Sequence, residues 1–322
     1  MKAIRFVCGG LLGIVIILSV VFGATTHNKK IKDTPKYQGI ISLWQVDSFE
    51  GGVGSRKQFL MREAVAFEKL NSGVLVMVSS QTPESVKQKV EQGVYPDMIS
   101  FGLGTEIDNL NLLDCDKNFR AGMLGDKQYI SSWCKGGYFI IENPSAKVNS
   151  IIVSKSDYNS PTTALSLIKK EYLSTTILSS KDAYYQFVLG RDRYLLGTQK
   201  DILRLSNRGF EYIATPITEY NDMYQLFAIT SNNNEKAYYC QQFLNQLLSF
   251  ETQSKLKEIG MMSPYYETSQ DNEFLKEMQK QKEKYTLSAF TSKAEIESLN
   301  ELSLKAIKGD EESKNKIKNL LL

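Results

Sequence analysis

The stretch LWQVDSFEGGVGSRKQFLMREAVAFEKLN, residues 43–71, passes from an apolar run through a glycine-rich turn into a segment with helical periodicity. The run that begins it, YQGIISLWQV at residues 37–46, has the length and apolarity of a strand covered on both faces in a parallel sheet. From Arg56 onward the apolar residues recur on one helical face, and Asn71 and Gly73 supply a stop signal. The stretch therefore predicts a buried strand followed by a helix.

The same alternation continues along the chain. VLVMVS, residues 74–79, predicts a second buried strand, and Thr82 and Pro83 supply an N-cap and a first-turn proline for a helix that Gly93 closes. DMISFG, residues 97–102, predicts a third strand. Strands and helices that alternate with short links indicate an α/β fold with a doubly wound parallel sheet, which binds ligands beyond the carboxyl ends of its strands.

Further elements are predicted in the rest of the chain. Strand-like runs lie at residues 137–143, 150–154 and 224–230. Helical spacing is found at residues 163–172, 183–190, 237–248 and throughout 273–322. A second set of strands and helices predicts another lobe.

The composition and length of the chain limit the classes of protein to which it can belong. A chain of 322 residues is long enough for two domains, since a typical domain holds roughly 100 to 200 residues. With 42% apolar and 23% charged residues it has a globular composition. The 39 basic and 36 acidic side chains leave a formal charge of +3, so nucleic acid is not predicted as a partner.

The N-terminus carries an export signal. Lys2 and Arg5 precede an uncharged segment, residues 6–27, whose centre is almost wholly apolar. A basic start and an apolar stretch are typical of a signal peptide, and Ala24 supplies part of a cleavage site. If uncut, the segment is about as long as the roughly 20 residues that span a bilayer. Residues 1–30 are therefore predicted to be a signal peptide or an N-terminal membrane anchor.

Cysteine and histidine usage limits the chemistry of the exported body. Cys115, Cys134 and Cys240 are an odd number without C-x-x-C spacing, so no disulfide framework is predicted, and a single pair stays open. The one histidine, His27, adjoins the export segment, which excludes a histidine-based triad or a histidine zinc site in the body. No G-x-S-x-G motif is present. Neither a metal nor a cofactor is predicted.

Several stretches, in this order, resemble the extracellular solute-binding proteins of bacterial ABC importers, in the carbohydrate-type group that includes maltose-binding protein. They are LWQVDSFEGGVGSR (43–56), VYPDMISFG (94–102), KQYISSWCKGGYFIIEN (127–143), YLLGTQKDILRL (194–205), ITEYNDMYQLFAIT (217–230) and IGMMSPYYE (259–267). The resemblance covers about residues 37 to 266 and depends on the order of these patterns. The region between Asn143 and Ala183 is shorter than is usual in this family.

The resemblance implies a periplasmic-binding-protein-like fold of class II topology, with two α/β lobes and a ligand cleft between them that closes by a hinge. The chain would cross between the lobes near 134–138, 216–222 and 261–264. One lobe would combine residues 37–135 with 222–261, and the other 136–221 with 262–322. It also implies a monomeric, non-catalytic receptor at the extracellular face of the membrane, which delivers a sugar or oligosaccharide to the permease of an ABC importer.

Candidate ligand-binding residues follow from the chemistry of sugars, which stack on aromatic rings and hydrogen-bond to carboxylates and amides. Trp44, Asp47 and Phe49 stand at the carboxyl end of the first strand, and Trp133 precedes the first implied crossing. Each tryptophan has the alternative of packing in the core. Asp97 opens the third strand, where a carboxylate that caps backbone N–H groups is the preferred interpretation.

Two further groups of candidates lie near the implied crossings and at the strand-to-helix turn of GRDRYLLGTQKD. They are Tyr138, Thr198, Gln199, Tyr220 and Asp222. Thr198 has a second interpretation as a helix N-cap with Asp201 at the third helical position, and both roles can hold together. Tyr220 and Asp222 have the alternative of supporting a hinge.

Two other functions stay open at this point. An exported glycosidase would need two carboxyl groups about 5 to 10 Å apart across a sugar bond. A membrane-tethered ligand sensor, or a degenerate member that binds a protein, would retain the N-terminal anchor. The sequence does not reveal the ligand.

Overall fold

The computed structural model describes residues 37–48, 52–115, 119–168 and 172–322, which belong to one compact unit, Tyr37–Leu322. In chain order its strands are β1 (Gly39–Val46), β2 (Val74–Gln81), β3 (Met98–Phe101), β4 (Met123–Leu124), β5 (Lys127–Gln128), β6 (Ile130–Lys135), β7 (Tyr138–Glu142), β8 (Ile151–Ser154), β9 (Thr175–Leu178), β10 (Tyr194–Thr198), β11 (Ile213–Pro216) and β12 (Tyr224–Ile229). Its helices are α1 (Arg56–Leu70), α2 (Pro83–Glu91), α3 (Pro161–Leu167), α4 (Ser180–Val188), α5 (Gln199–Asn207), α6 (Asn234–Leu247), α7 (Phe250–Gln253), α8 (Glu273–Lys280), α9 (Lys293–Ile307) and α10 (Glu311–Leu320).

The first sheet has the strand order β2-β1-β3-β12-β6. Strand β1 pairs in parallel with β2 and β3, as the sequence predicts, whereas β12 is antiparallel to both β3 and β6. The parallel pairing predicted for the first three strands is therefore confirmed, and the sheet is mixed because β12 joins it in the opposite direction. In the chain, β12 follows β11 of the second sheet and returns to the first sheet. The apolar pattern of a strand does not indicate the direction in which the strand runs.

The second sheet has the order β11-β7-β10-β8-β9. Strands β8, β9 and β10 run in parallel, and β7 is antiparallel to its neighbours β10 and β11. Mixed sheets with helices packed against them place this chain in the α/β class. The carboxyl ends of three parallel strands thus meet at one edge of each sheet.

Aromatic side chains fill the two cores. In the first, Phe67 of α1 meets Phe243 of α6 edge to face, with ring centroids 5.5 Å apart. In the second, Phe139 of β7 and Phe187 of α4 are fully buried in one apolar cluster. These contacts hold the amphipathic faces of the helices on the sheets and so keep the strand ends in place.

The glycine turn of the opening stretch packs against a distant carbonyl group. Gly52 has a φ of +68°, and the N–H groups of Val53 and Gly54 donate to the carbonyl oxygen of Ile259 at 3.0 and 3.3 Å. A Cβ at Gly52 would lie 1.9 Å from that oxygen. These two N–H groups thus bind the end of the 3-10 helix Leu256–Ile259 and tie the glycine turn to a distant part of the chain.

The helical predictions are too long in two places. Residues 273–322 are interrupted, because residues 281–292 separate α8 from α9 without helix. Ser292 then starts α9 with a capping box to Glu295. The prediction of a helix at 163–172 is replaced by the shorter α3, which packs against α9.

None of the helices in the described part of the chain is both long and apolar enough to cross a bilayer. The apolar segment at residues 6–27 and the predicted site residue Phe49 lie outside the described residues.

Replacing Gly52 by alanine is expected to lower the free energy of unfolding by more than the matched change at Gly93. Both glycines have a positive φ, which costs an L residue roughly 1–2 kcal/mol. Only Gly52 also faces backbone within 4 Å, which adds an overpacking cost of about 1–3 kcal/mol. Urea unfolding measures both variants, and equal losses for Gly52→Ala and Gly93→Ala would contradict the close approach to Ile259.

Candidate functional site

A cavity of about 440 Å³ lies where strand ends of the two sheets face each other. Its volume falls within the range of roughly 300–1,000 Å³ that is usual for small-molecule sites. Its lining residues are Ser48, Tyr138, Ser154, Lys155, Ser156, Asp157, Tyr158, Asn159, Pro161, Ser179, Ser180, Leu196, Thr198, Lys200, Asp201 and Met223. We call this cavity the inter-sheet pocket.

Most of the wall comes from the carboxyl ends of the parallel strands of the second sheet. Residues 154–159 follow β8, Ser179 follows β9 as the N-cap of α4, and Thr198 ends β10 as the N-cap of α5. The first sheet contributes Ser48, just beyond β1, and Met223, just before β12. The pocket therefore has the position in which α/β sheets bind their ligands.

The side chains of the pocket are mostly polar. Eight carry hydroxyl groups, and two lysines and two aspartates add charges of both signs. Its aromatic rings are those of Tyr138 and Tyr158. Hydroxyl, carboxamide and charged groups beside two rings can hydrogen-bond a polyhydroxylated molecule and cover its apolar faces.

Tyr158 connects the two sides of the pocket. Its hydroxyl donates to Oε1 of Glu84, in the first turn of α2, at 3.1 Å, and Nζ of Lys293 lies 5.1 Å from its ring centroid. Partial burial, together with the hydrogen bond to Glu84, raises the pKa of Tyr158 to about 12. The phenol therefore remains a hydrogen-bond donor at neutral pH.

A buried carboxylate lies behind the pocket. Asp222 is fully buried, and its two oxygens accept hydrogen bonds from the hydroxyls of Tyr138 at 2.7 Å and Tyr220 at 2.8 Å and from the Ser160 N–H at 2.6 Å. The Asp222 carbonyl accepts a further bond from Nδ2 of Asn159 at 3.0 Å. We call these five residues the Asp222 cluster.

Burial and hydrogen bonding have opposite effects on the pKa of the Asp222 carboxyl. Burial raises the pKa of the Asp222 carboxyl, although the hydrogen bonds from Tyr138, Ser160 and Tyr220 act in the opposite direction. Burial, followed by the nearby Asp222 charge, raises the pKa of the Tyr138 and Tyr220 hydroxyls. Both phenols thus stay protonated as donors to Asp222.

Polar contacts also join the segments that pass between the sheets. Lys135 ends β6 and exchanges backbone hydrogen bonds with Met262 at 2.9 Å in both directions. The Lys135 ammonium pairs with Glu283, and both side chains are largely buried. Asn221 donates to the Gly136 carbonyl at 3.1 Å. Four distant parts of the chain are therefore fixed to one another beside the Asp222 cluster.

Of the residues predicted from sequence, Tyr138 and Thr198 line the pocket directly. Tyr220 and Asp222 lie behind Tyr138 in the Asp222 cluster. Thr198 is also the N-cap of α5 with a capping box to Asp201, as its second interpretation predicts. These predictions come from separate stretches that the fold brings together.

Both tryptophans have core positions in the structure. Trp133 is fully buried, stacks on Phe59 at a centroid distance of 5.6 Å and donates from Nε1 to Ser100 at 2.8 Å. Trp44 is 5% exposed and packs in the same core, with Lys89 over its ring. Neither ring lines the inter-sheet pocket. The prediction that they border it is corrected to the core alternative.

The remaining candidates make structural contacts away from the pocket lining. Asp47 accepts from the buried Arg56 guanidinium, with Nε at 3.0 Å, and so ties the end of β1 to the start of α1. Asp97, at the opposite end of β3 from the pocket, accepts from Ser42 and pairs with Lys236. This agrees with its preferred structural interpretation.

Gln199 is a structural contact of the same kind. Its side chain is fully buried, accepts from the Gly137 N–H at 2.9 Å and lies 3.5 Å from the Met261 sulfur. It joins the start of α5 to two of the segments that connect the sheets. Its amide is therefore not among the groups that face the pocket.

The loop at residues 154–160, which supplies six of the sixteen lining residues, is not among the predicted site residues. This loop follows the strand-like run SIIVS and reads SKSDYNS, with hydroxyl, charged, aromatic and amide side chains in succession. The signal was available, because the loop lies at the carboxyl end of a predicted strand. Ser48 is missed for another reason, since a lone serine beyond a strand has no distinctive pattern.

Thiols and acidic side chains give no sign of a metal centre in the described part. Cys115, Cys134 and Cys240 are buried thiols. Within residues 37–48, 52–115, 119–168 and 172–322, no cluster of three histidine, cysteine, aspartate or glutamate side chains could hold a metal ion.

Substitution of Asp222 by alanine is expected to lower the free energy of unfolding by about 3 kcal/mol or more. The change leaves two tyrosine hydroxyls and one backbone N–H without their acceptor in a buried place, at about 1–3 kcal/mol for each group. Asp126→Ala is the matched control, because Asp126 is exposed in a turn and surface changes usually stay within about 0.5 kcal/mol. Urea unfolding compares the two, and a similar small loss for both would refute the role of the Asp222 cluster.

The raised pKa of Asp222 predicts a pH dependence with a definite sign. Because the folded pKa lies above the ordinary value of 3.8, the contribution of Asp222 to the free energy of unfolding is fully present below pH 3.8. It is lost as the pH rises through the folded pKa. We expect the unfolding free energy of the wild type minus that of Asp222→Asn to fall as the pH rises above 3.8. A difference that grows with pH would show a lowered pKa instead.

Comparisons with known proteins place this geometry in a fold group. No protein-family model and no curated protein matches the sequence. Among solved structures, the cyclic alpha-maltosyl-1,6-maltose binding protein of Arthrobacter globiformis is 10% identical with a TM-score of 0.62, over 88% of this chain and 97% of that one. An ABC substrate-binding protein of Listeria monocytogenes in complex with cycloalternan is 12% identical with a TM-score of 0.54, over 88% and 98%.

A third similar structure shows how wide the group is. The iron-bound HitA of Pseudomonas aeruginosa is 13% identical, with a TM-score of 0.53 over 82% of this chain and 99% of that one. These likenesses extend over nearly the whole of each known protein, while the identities are low. The chain therefore has the maltose-binding-protein-like, two-lobed α/β fold of substrate-binding proteins of ABC transporters.

Proposed function

We propose that this protein is an extracellular receptor that binds a carbohydrate in the inter-sheet pocket and delivers it to the permease of an ABC importer. The pocket is the observation that supports the proposal most directly. It lies at the carboxyl ends of parallel strands and combines six serine and threonine side chains with the rings of Tyr138 and Tyr158. Two of the similar structures are described as binding, or as complexes with, cyclic saccharides.

The proposed lobes are centred on the two sheets. Residues 37–135 with 222–261 would form the lobe of the first sheet, and residues 136–221 with 262–322 that of the second. The contacts of Lys135, Gly136, Asn221 and Met262 support a hinge at the segments between them. Closure around a ligand would then bring Ser48 and Met223 toward the loop after β8.

The proposed role is non-catalytic, and the environments of the pocket acids support it. Asp201 accepts the Thr198 N–H at 2.9 Å as part of a capping box, so its carboxylate already has a structural role. Asp157 is 68% exposed and lies 3.9 Å from Lys155. A glycosidase needs one carboxyl held protonated beside the scissile bond, usually by burial, and neither environment favours that.

Export and membrane association are part of the same proposal. The basic start and the apolar segment at residues 6–27 would direct the chain out of the cell, as a cleaved signal peptide or as an anchor. The receptor would act as a monomer at the outer face of the membrane, where a permease can reach the lobes on either side of the pocket.

Calorimetric titration of the purified protein with maltose, chitobiose and maltotetraose tests the function. We expect saturable binding of at least one saccharide, with thermal stabilisation of about 2.7 kcal/mol at a hundred times its dissociation constant. Calorimetry is preferable to tryptophan fluorescence because neither Trp44 nor Trp133 lines the pocket. Absence of binding by all three, in protein shown to be folded, would contradict a receptor for these sugars.

A matched pair of tyrosine variants locates the binding site. Tyr158→Ala removes a pocket ring and is expected to weaken saccharide binding by roughly tenfold, since ring contacts of this kind contribute about 0.5–1.5 kcal/mol beyond their buried area. Tyr238→Ala changes a half-exposed ring in α6, outside the pocket lining, and should leave affinity unchanged. Equal affinities of the two variants would place the saccharide elsewhere.

A further inference from the structure

Ser48 contributes a buried hydroxyl group to the lining of the inter-sheet pocket. It follows β1, is 7% exposed and lines the inter-sheet pocket from the side of the first sheet. Its Oγ has no hydrogen-bond partner among the residues that the structure describes. Nearly all buried polar groups in proteins have a partner, so this hydroxyl requires an explanation.

Asn159 presents a second such group from the opposite wall. The residue is 3% exposed, and its Nδ2 donates to the Asp222 carbonyl at 3.0 Å. Only the NH₂ end of an amide can donate to a carbonyl oxygen, so this contact fixes which way the amide points. Its Oδ1 then lacks a partner among the described residues.

The loop of Asn159 is held in place independently of any ligand. The Asn159 N–H donates to Oγ of Ser156 at 3.2 Å, and the next residue, Ser160, donates its N–H to the Asp222 carboxylate. The position of the Asn159 amide is therefore fixed by hydrogen bonds within the protein. Its buried Oδ1 is available to accept a hydrogen bond from a ligand that enters the pocket.

We propose that Ser48 and Asn159 are direct ligand contacts, and that the ligand donates a hydroxyl or N–H hydrogen to Oδ1 of Asn159. This inference rests on the proposed function and narrows it. A fully ionised oxygen, as in sulfate or a carboxylate, has no hydrogen to donate, so the group that faces Asn159 is a hydroxyl or an N–H group. Ser48 Oγ both donates and accepts and suits the adjoining hydroxyl of a sugar.

The two residues belong to the ends of different sheets, so one ligand that satisfies both joins the two sides of the pocket. Ser48 lies beyond β1 in the first sheet, and Asn159 lies beyond β8 in the second. Each side taken alone supplies only one of the two unsatisfied groups. Binding to both is therefore stronger than binding to either, which favours the arrangement in which the sides are close.

Ser48→Ala gives the test, because it has opposite effects on stability and on affinity. Removing an unpartnered buried hydroxyl should leave the midpoint of thermal unfolding of the ligand-free protein unchanged or raise it. The dissociation constant for maltose, or for chitobiose or maltotetraose if one of these binds instead, should rise by about 3- to 10-fold. Asn159→Ala should weaken the same saccharide at least as much.

Ser231→Ala is the matched control. Ser231 is a buried serine whose Oγ donates to Oδ1 of Asp97 at 3.0 Å and accepts from the Asn233 N–H at 3.4 Å, and it does not line the pocket. Its loss should lower the unfolding midpoint and leave saccharide affinity unchanged. If Ser48→Ala destabilises the ligand-free protein like Ser231→Ala, or binds the saccharide as the wild type does, the inference is overturned.

Two further outcomes separate this inference from the proposed function. Inorganic sulfate, which has no hydrogen to donate, should not displace the saccharide at matched ionic strength, and competition by sulfate would overturn the assignment of a donor at Asn159. If none of the three saccharides binds the wild type, the proposed function fails. In that case the unfolding midpoint of the ligand-free Ser48→Ala variant still tests whether the Ser48 hydroxyl lacks a partner. A lower midpoint than that of the wild type overturns this assignment, and an unchanged midpoint supports it.

Discussion

The arrangement of the pocket depends on a carboxylate that is buried where water cannot solvate it. A charged or polar group in such a place is tolerated only when its hydrogen bonds are made within the protein. Asp222 therefore requires Tyr138, Tyr220 and Ser160 to be in position together. These partners come from the start of β7, the segment before β12 and the loop before α3, so one side chain fixes three segments that are distant in sequence.

One part of the pocket wall is held in place by the hydrogen bonds of Asp222. The ring of Tyr138 is held by its bond to Asp222 and forms part of the wall, and the loop of residues 154–160 is held at its end by Ser160 and Asn159. Thr198 and Ser179 are fixed in another way, as N-caps of helices that follow parallel strands. The pocket thus has a prearranged polar wall, and prearranged groups lower the entropic cost of binding.

The sequence predicts local features well because local physics determines them. Three such predictions are confirmed: the strand that contains Trp44, the Thr82 cap with Pro83, and the capping box of Thr198. Each depends on residues that are close in the chain. The direction of β12 and the interruption of the C-terminal helices depend on contacts between distant segments. A pattern of apolar residues does not contain that information.

The same distinction explains the outcome for the site residues. An aromatic residue at a strand end is equally consistent with a cleft and with a core. In the structure Trp133 lies in the core, where its ring stacks on Phe59, and Trp44 packs in the same apolar cluster. Ser48 and Asn159 could not be selected from sequence, because what distinguishes them is an oxygen without a partner, which only the folded arrangement reveals.

A crystal structure of the protein grown with a saccharide that binds in solution tests the central claim most directly. The account predicts the sugar in the inter-sheet pocket, against Tyr138 and Tyr158, with hydroxyl groups within hydrogen-bond distance of Ser48 Oγ and Asn159 Oδ1. A saccharide bound at another surface, with Ser48 and Asn159 making no contact to it, would contradict the account.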